Sequence, residues 1–107
     1  MARTLNAGTH RLVFTAGVND RIADDSEFAK HVYASLLRFN RGDWGDTDAG
    51  DWAQNDATVE ALNSPDRSTY GLLMGAYTAA GERLWITRQV TDADGGQSIT
   101  VLFPSEY

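Results

Sequence analysis

The 107-residue sequence predicts a single α+β domain of β-α-α-β-β-β order, a mainly antiparallel sheet with helices on one face. Three observations predict it. Residues 25–40 carry apolar side chains at helical spacing. The chain after residue 69 falls into three β-rich runs separated by turn signals. Eleven aromatics, in a chain that is 42% hydrophobic and 22% charged, supply apolar area for one core.

The elements follow in order. His10 to Val18 alternates weakly and is rich in β-formers (Leu12, Val13, Phe14, Thr15), so one strand is expected there, ending at Gly17 and the turn-like Asn19-Asp20. Asp24 followed three residues later by Glu27 has the spacing of a capping box, and a helix is expected to begin near Asp25. On that helix Phe28, Val32, Leu36 and Phe39 share a core-facing stripe, with Lys30, Arg38 and Arg41 forming a basic back. Gly42 ends it. A second helix, capped by Asp46 or Asp48, carries Trp52, Val59 and Leu62 as far as the breaker Asn63-Ser64-Pro65-Asp66. Three strands follow, Thr69 to Tyr77, Arg83 to Val90 and Ser98 to Phe103, joined as a meander through Ala79–Glu82 and Asp92–Gly96.

Charge is concentrated rather than spread. The formal net charge is −6, and residues 42–66 hold seven acidic groups (Asp43, Asp46, Asp48, Asp51, Asp56, Glu60, Asp66) and no basic one. Such a face repels phosphate polyanions, so direct nucleic-acid binding there is disfavoured. It reads either as a solvated surface that maintains solubility or as a docking face for a basic protein.

Several chemistries are excluded. The chain has no cysteine and only two histidines, at positions 10 and 31, which removes disulfides, thiol catalysis and zinc–thiolate sites. No long apolar run suggests a membrane span and no signal pattern opens the sequence, so a cytoplasmic protein is expected. An EF-hand loop begun at Asp46 fails, because Asp51 stands where Gly is required and Ala57 where the bidentate Glu belongs. No nucleophile elbow, dinucleotide fingerprint or P-loop is present, and Arg41-Gly42-Asp43 is too short a match to mean adhesion. Neither a catalytic residue nor a metal nor a cofactor is implied.

Gly42-Asp43-Trp44-Gly45-Asp46 is the most informative stretch. Two glycines around a tryptophan turn the backbone sharply and fix the indole. Trp44 then either plugs the core where the first helix ends or stands exposed between acids as an anchor for a basic partner. Together with Thr15-Ala16-Gly17-Val18, Asn55, Ala76-Tyr77, Trp85-Ile86-Thr87 and the terminal Thr100–Tyr107, this order resembles the small plasmid- and phage-associated proteins that end in LFPxEY. The resemblance runs from Thr15 to the C-terminus and implies a mobile-element origin. It transfers no catalytic residue, and the segment Asp92 to Gln97 is longer and more turn-like than in that family. Pro104 after Leu102-Phe103 stops the last strand, and the tail is expected to dock on the fold.

Two functions from different classes fit these residues. The first is a non-enzymatic protein-binding module, an inhibitor of a host nucleic-acid-directed defence such as restriction or CRISPR machinery, with Asp43, Trp44, Asp46, Asp48, Asp51, Asp56 and Glu60 engaging a host or element protein that has a basic surface. The second is a small enzyme or ligand-binding domain with Asp43, Asp46, Asn55, Tyr77, Thr87 and Arg88 converging on a polar cleft.

Overall fold

The computed structural model describes residues 10–63, 71–79, 81–90 and 97–107. Its elements run β1 (His10–Phe14), α1 (Ala16–Asp24), α2 (Ser26–Asn40), α3 (Ala49–Asn63), β2 (Gly71–Ala79), β3 (Glu82–Val90) and β4 (Gln97–Leu102), followed by one 3₁₀ turn at Pro104–Glu106. The sheet order is β1-β4-β3-β2. The β2–β3 and β3–β4 pairs are antiparallel, and β1 lies parallel to β4. This is the expected α+β architecture with one helix more than the sequence pattern supplied.

That extra helix corrects the first strand. The strand stops at Phe14, and the residues from Ala16, including Gly17 and Asn19-Asp20, form α1. The cause lies at the other end of the chain. Thr15 occupies the N-cap position without capping through its side chain. Instead its hydroxyl donates to Glu106 Oε1 at 2.6 Å, and the Gly17 N–H donates to Glu106 Oε2 at 3.1 Å. A carboxylate from the C-terminal turn thus occupies the electropositive start of α1, satisfying an orphan donor there. A Cβ at Gly17 would crowd that carboxylate, which explains the small residue.

The cap of α2 also differs by one residue from expectation. Asp24 ends α1, and it is Asp25 whose carboxylate accepts from the Glu27 and Phe28 N–H groups, at 3.1 and 3.2 Å. Phe28, Val32 and Phe39 are buried as the stripe required, but Leu36 is only half-buried. Ser35 takes the fourth enclosed position, its hydroxyl donating to the His31 carbonyl at 2.7 Å. The basic back is not continuous either. Lys30 and Arg41 are exposed, whereas Arg38 lies 5.3 Å over the buried Tyr77 ring.

Val18, Phe28, Val32, Phe39, Trp44 and Val59 meet Leu73, Tyr77, Leu84, Ile86, Ile99 and Val101 in one core on the helix side of the sheet. Asp48 caps α3, its carboxylate accepting from the Asp51 N–H at 2.9 Å. Of the apolar residues expected on that helix Val59 is buried and Trp52 half-buried; the Leu62 side chain, the breaker from Ser64 to Asp66 and the turn from Asp92 to Gly96 lie outside the described residues. The C-terminal tail is docked as expected: Glu106 holds α1, and Tyr107 packs edge-on against Trp85 with ring centroids 5.4 Å apart.

Candidate functional site

The central motif builds the site by closing an open sheet edge. β2 pairs with β3 on one side only, and an unpaired edge strand is a template for aggregation. Two devices cover it. At Ala76 the chain from Trp44 to Asp46 runs alongside: the Ala76 N–H donates to the Trp44 carbonyl at 3.2 Å and the Asp46 N–H donates to the Ala76 carbonyl at 2.7 Å. Two residues back, the Asn55 amide does the same with side-chain atoms, donating to the Met74 carbonyl at 2.7 Å and accepting from the Met74 N–H at 3.4 Å. Gly45 is at φ +71°, and a Cβ there would strike the Ala76 carbonyl oxygen, so only glycine permits this approach.

Three of the seven predicted binding residues, Asp43, Trp44 and Asp56, are consumed by this construction. The Asp43 carboxylate accepts from Arg38 Nε at 2.8 Å, from Arg38 Nη2 at 3.2 Å and from the Gly45 N–H at 3.1 Å. Those charge-assisted bonds, Arg38 foremost, hold its pKa below the ordinary carboxylate range. Its carbonyl accepts from the Tyr77 hydroxyl at 2.8 Å. Burial pushes the Tyr77 phenol well above its usual pKa, so it stays a hydrogen-bond donor. Trp44 is 2% exposed and packs edge-on against Phe39, which corrects the reading of it as an exposed anchor. Its indole Nε1 donates to Asp56 at 2.9 Å, so Asp56 serves partly to fix the indole. Glu60 follows Asp56 one turn along the exposed side of α3.

Three of the predicted carboxylates come together. Asp46, Asp48 and Asp51 line a groove of about 240 Å³ with Thr47, and its remaining walls are Met74, Ala76, Arg83 and Trp85. The strand residues alternate with the buried Leu73, Tyr77, Leu84 and Ile86, so they belong to the sheet face away from the core. All three aspartates are exposed and make no ion pair among the described residues. The groove therefore sets three carboxylates against one guanidinium, Arg83, beside apolar surface that includes a half-buried tryptophan. Sequence reasoning missed Met74, Ala76, Arg83 and Trp85. The alternation of β2 and β3 assigns them to one face, but their meeting with the acidic segment depends on the Gly45–Ala76 contact.

The residues expected to converge on a polar cleft do not. Asn55 is spent on the β2 backbone and Asp43 on Arg38. Thr87 and Arg88 are neighbours in a strand and belong to opposite faces of the sheet. A second cavity of about 200 Å³, between α2 and the β2–β3 turn, is lined by Arg21, Asp25, Glu27, Phe28, His31, Ala79 and Glu82. Arg21 is already matched there by Glu82 at 2.7 Å and Asp25 at 3.4 Å, and burial holds the His31 imidazole below its usual pKa. No group of three metal-ligating side chains occurs among the described residues, and no helix among them is long and apolar enough to cross a membrane. Comparison with known proteins finds no matching family model, curated protein or solved structure.

Proposed function

We propose that this protein is a non-enzymatic binding module whose acidic groove docks a basic protein surface, acting in the cytoplasm as a mobile-element inhibitor of a host nucleic-acid-directed defence. The observation that supports docking is the groove itself: Asp46, Asp48 and Asp51, exposed and without ion pairs among the described residues, beside Met74, Ala76 and Trp85. A lysine or arginine reaching in finds carboxylates for its head and apolar surface for its stem. The resemblance to plasmid- and phage-associated proteins supports the mobile-element setting. Proteins that handle nucleic acid carry basic channels, which an acidic module can occupy.

The test separates docking from folding. Asp46→Lys with Asp51→Lys reverses two charges that make no side-chain hydrogen bond among the described residues, and Asp48→Asn keeps the α3 cap. The triple variant is expected to melt within a few degrees of the parent and to release a partner identified by capture from a host lysate. The parent's own capture of that partner is expected to weaken between 50 and 500 mM salt, as screening shortens the Debye length from roughly 14 to 4 Å. A folded triple variant that holds the same partner as tightly as the parent overturns the proposal.

A further inference from the structure

Arg88 differs from the cations that make ion pairs among the described residues. Arg21, Lys30 and Arg38 each have side chains at least 39% exposed, and each has a carboxylate partner. Arg88 is 6% exposed and makes no hydrogen bond or ion pair among the described residues; its Nε is enclosed without a partner. Its strand position places it in a cross-sheet row on the helix side, between Leu73 and Ile99, with the fully buried Ile86 two residues before it. Burial pulls its pKa down from the ordinary guanidinium value, and no carboxylate among the described residues acts against it. A guanidinium keeps its proton at neutral pH, so among the described residues Arg88 is a buried cation without a counter-charge, an arrangement that is costly to a fold.

We propose that Arg88 is a receptor for a small oxyanion, a carboxylate or phosphate group, which completes the charge the fold leaves unbalanced. The planar fork of a guanidinium matches two oxygens of such a group. The cross-sheet row becomes less enclosed toward β1. Beyond Ile99 its next member is Leu12, whose side chain lies on the same face and is 49% exposed, so the helix layer stops short of that end of the row. The net charge of −6 disfavours general accumulation of anions at the surface, so a saturable response is assigned to this position by being read at the Arg88 Nε–H itself.

The test uses the intact protein with inorganic phosphate and, separately, acetate, against sodium chloride at matched ionic strength. The Arg88 Nε–H resonance is expected to shift saturably, and the melting midpoint to rise by about 5–10 °C at phosphate tenfold above its Kd. Arg88→Met, an unbranched apolar replacement of a buried ion, is expected to fold and to lose the midpoint response. A shift with both anions assigns the site to oxyanions in general, and a shift with phosphate alone assigns it to phosphate. No saturable Nε–H shift with either anion, or equal stabilisation of Arg88→Met and the parent, overturns the proposal.

Discussion

Asn55→Ala removes one amide and tests the whole account of the closed edge. In the parent that amide, 6% exposed, satisfies both the carbonyl and the N–H of Met74. The 2.7 Å bond is the strong one and the 3.4 Å contact adds little. Losing a neutral hydrogen bond and leaving a carbonyl unsatisfied under α3 costs about 2–4 kcal/mol in total. Against a domain stability of ~5–15 kcal/mol, that lowers the melting midpoint by roughly 10–25 °C. Urea unfolding followed by circular dichroism measures it, with the slope m unchanged if only stability moves. Asn55→Asp separates the donor from the acceptor. Its carboxylate retains an acceptor for the Met74 N–H but points charge at the Met74 carbonyl, so at pH 7 it is expected to be less stable than Asn55→Ala. That penalty raises the new carboxyl's folded-state pKa above the unfolded value of about 3.9, so the deficit is full at neutral pH and shrinks as pH falls through the folded value. An Asn55→Ala protein within ~0.5 kcal/mol of the parent, or the two variants equal at pH 7, refutes the reasoning.

Three further predictions test neighbouring joints. Tyr77→Phe leaves the Asp43 carbonyl without its buried donor and is expected to cost about 1–3 kcal/mol in chemical denaturation, with the ring still packed under Arg38. The Glu106 pKa is depressed, first by the Thr15 hydroxyl and then by the Phe103 and Gly17 N–H groups, so its contribution is present above the unfolded carboxyl value and is lost as pH falls through the folded one. Glu106→Gln is therefore expected to melt below the parent at pH 7, with the difference narrowing below about pH 4.3 in melts across pH. Gly45→Ala is expected to lose the cooperative transition or to melt far below the parent, because the strained φ and the Ala76 carbonyl leave a methyl nowhere to go.

Local signals were legible where the cause is local. The Phe28, Val32 and Phe39 stripe, the Asp48 cap and the alternation of the meander are fixed by spacings of a few residues, and each stands in the fold. α1 was not legible because its cap comes from Glu106, 89 residues away from Gly17, and its own sequence pairs a glycine with a β-rich approach. Arg38 was misplaced for a similar reason. A helical wheel sorts it with Lys30, but the return of the chain at Gly42 brings Asp43 to its guanidinium and β2 brings the Tyr77 ring beneath it. The acidic count of residues 42–66 was readable as a number and not as a surface, since tertiary hydrogen bonds decide which carboxylates stay free.

That division gives the acidic segment a mechanical logic. Asp43 and Asp56 hold the two ends of Trp44's surroundings, one through Arg38 and the turn at Gly45, the other through the indole N–H. With the indole fixed, the Trp44 carbonyl and the Asp46 N–H are presented at the spacing needed to pair with Ala76. The same pairing brings Asp46, Thr47 and Asp48 against the outer face of β2 and β3, beside Met74 and Trp85. The free carboxylates are therefore positioned by the bound ones. Changes at Asp43 or Asp56 act on the groove only by loosening the edge, and must lower stability along with any docking. Changes at Asp46 or Asp51 alter the charge of the groove while every backbone bond that shapes it remains.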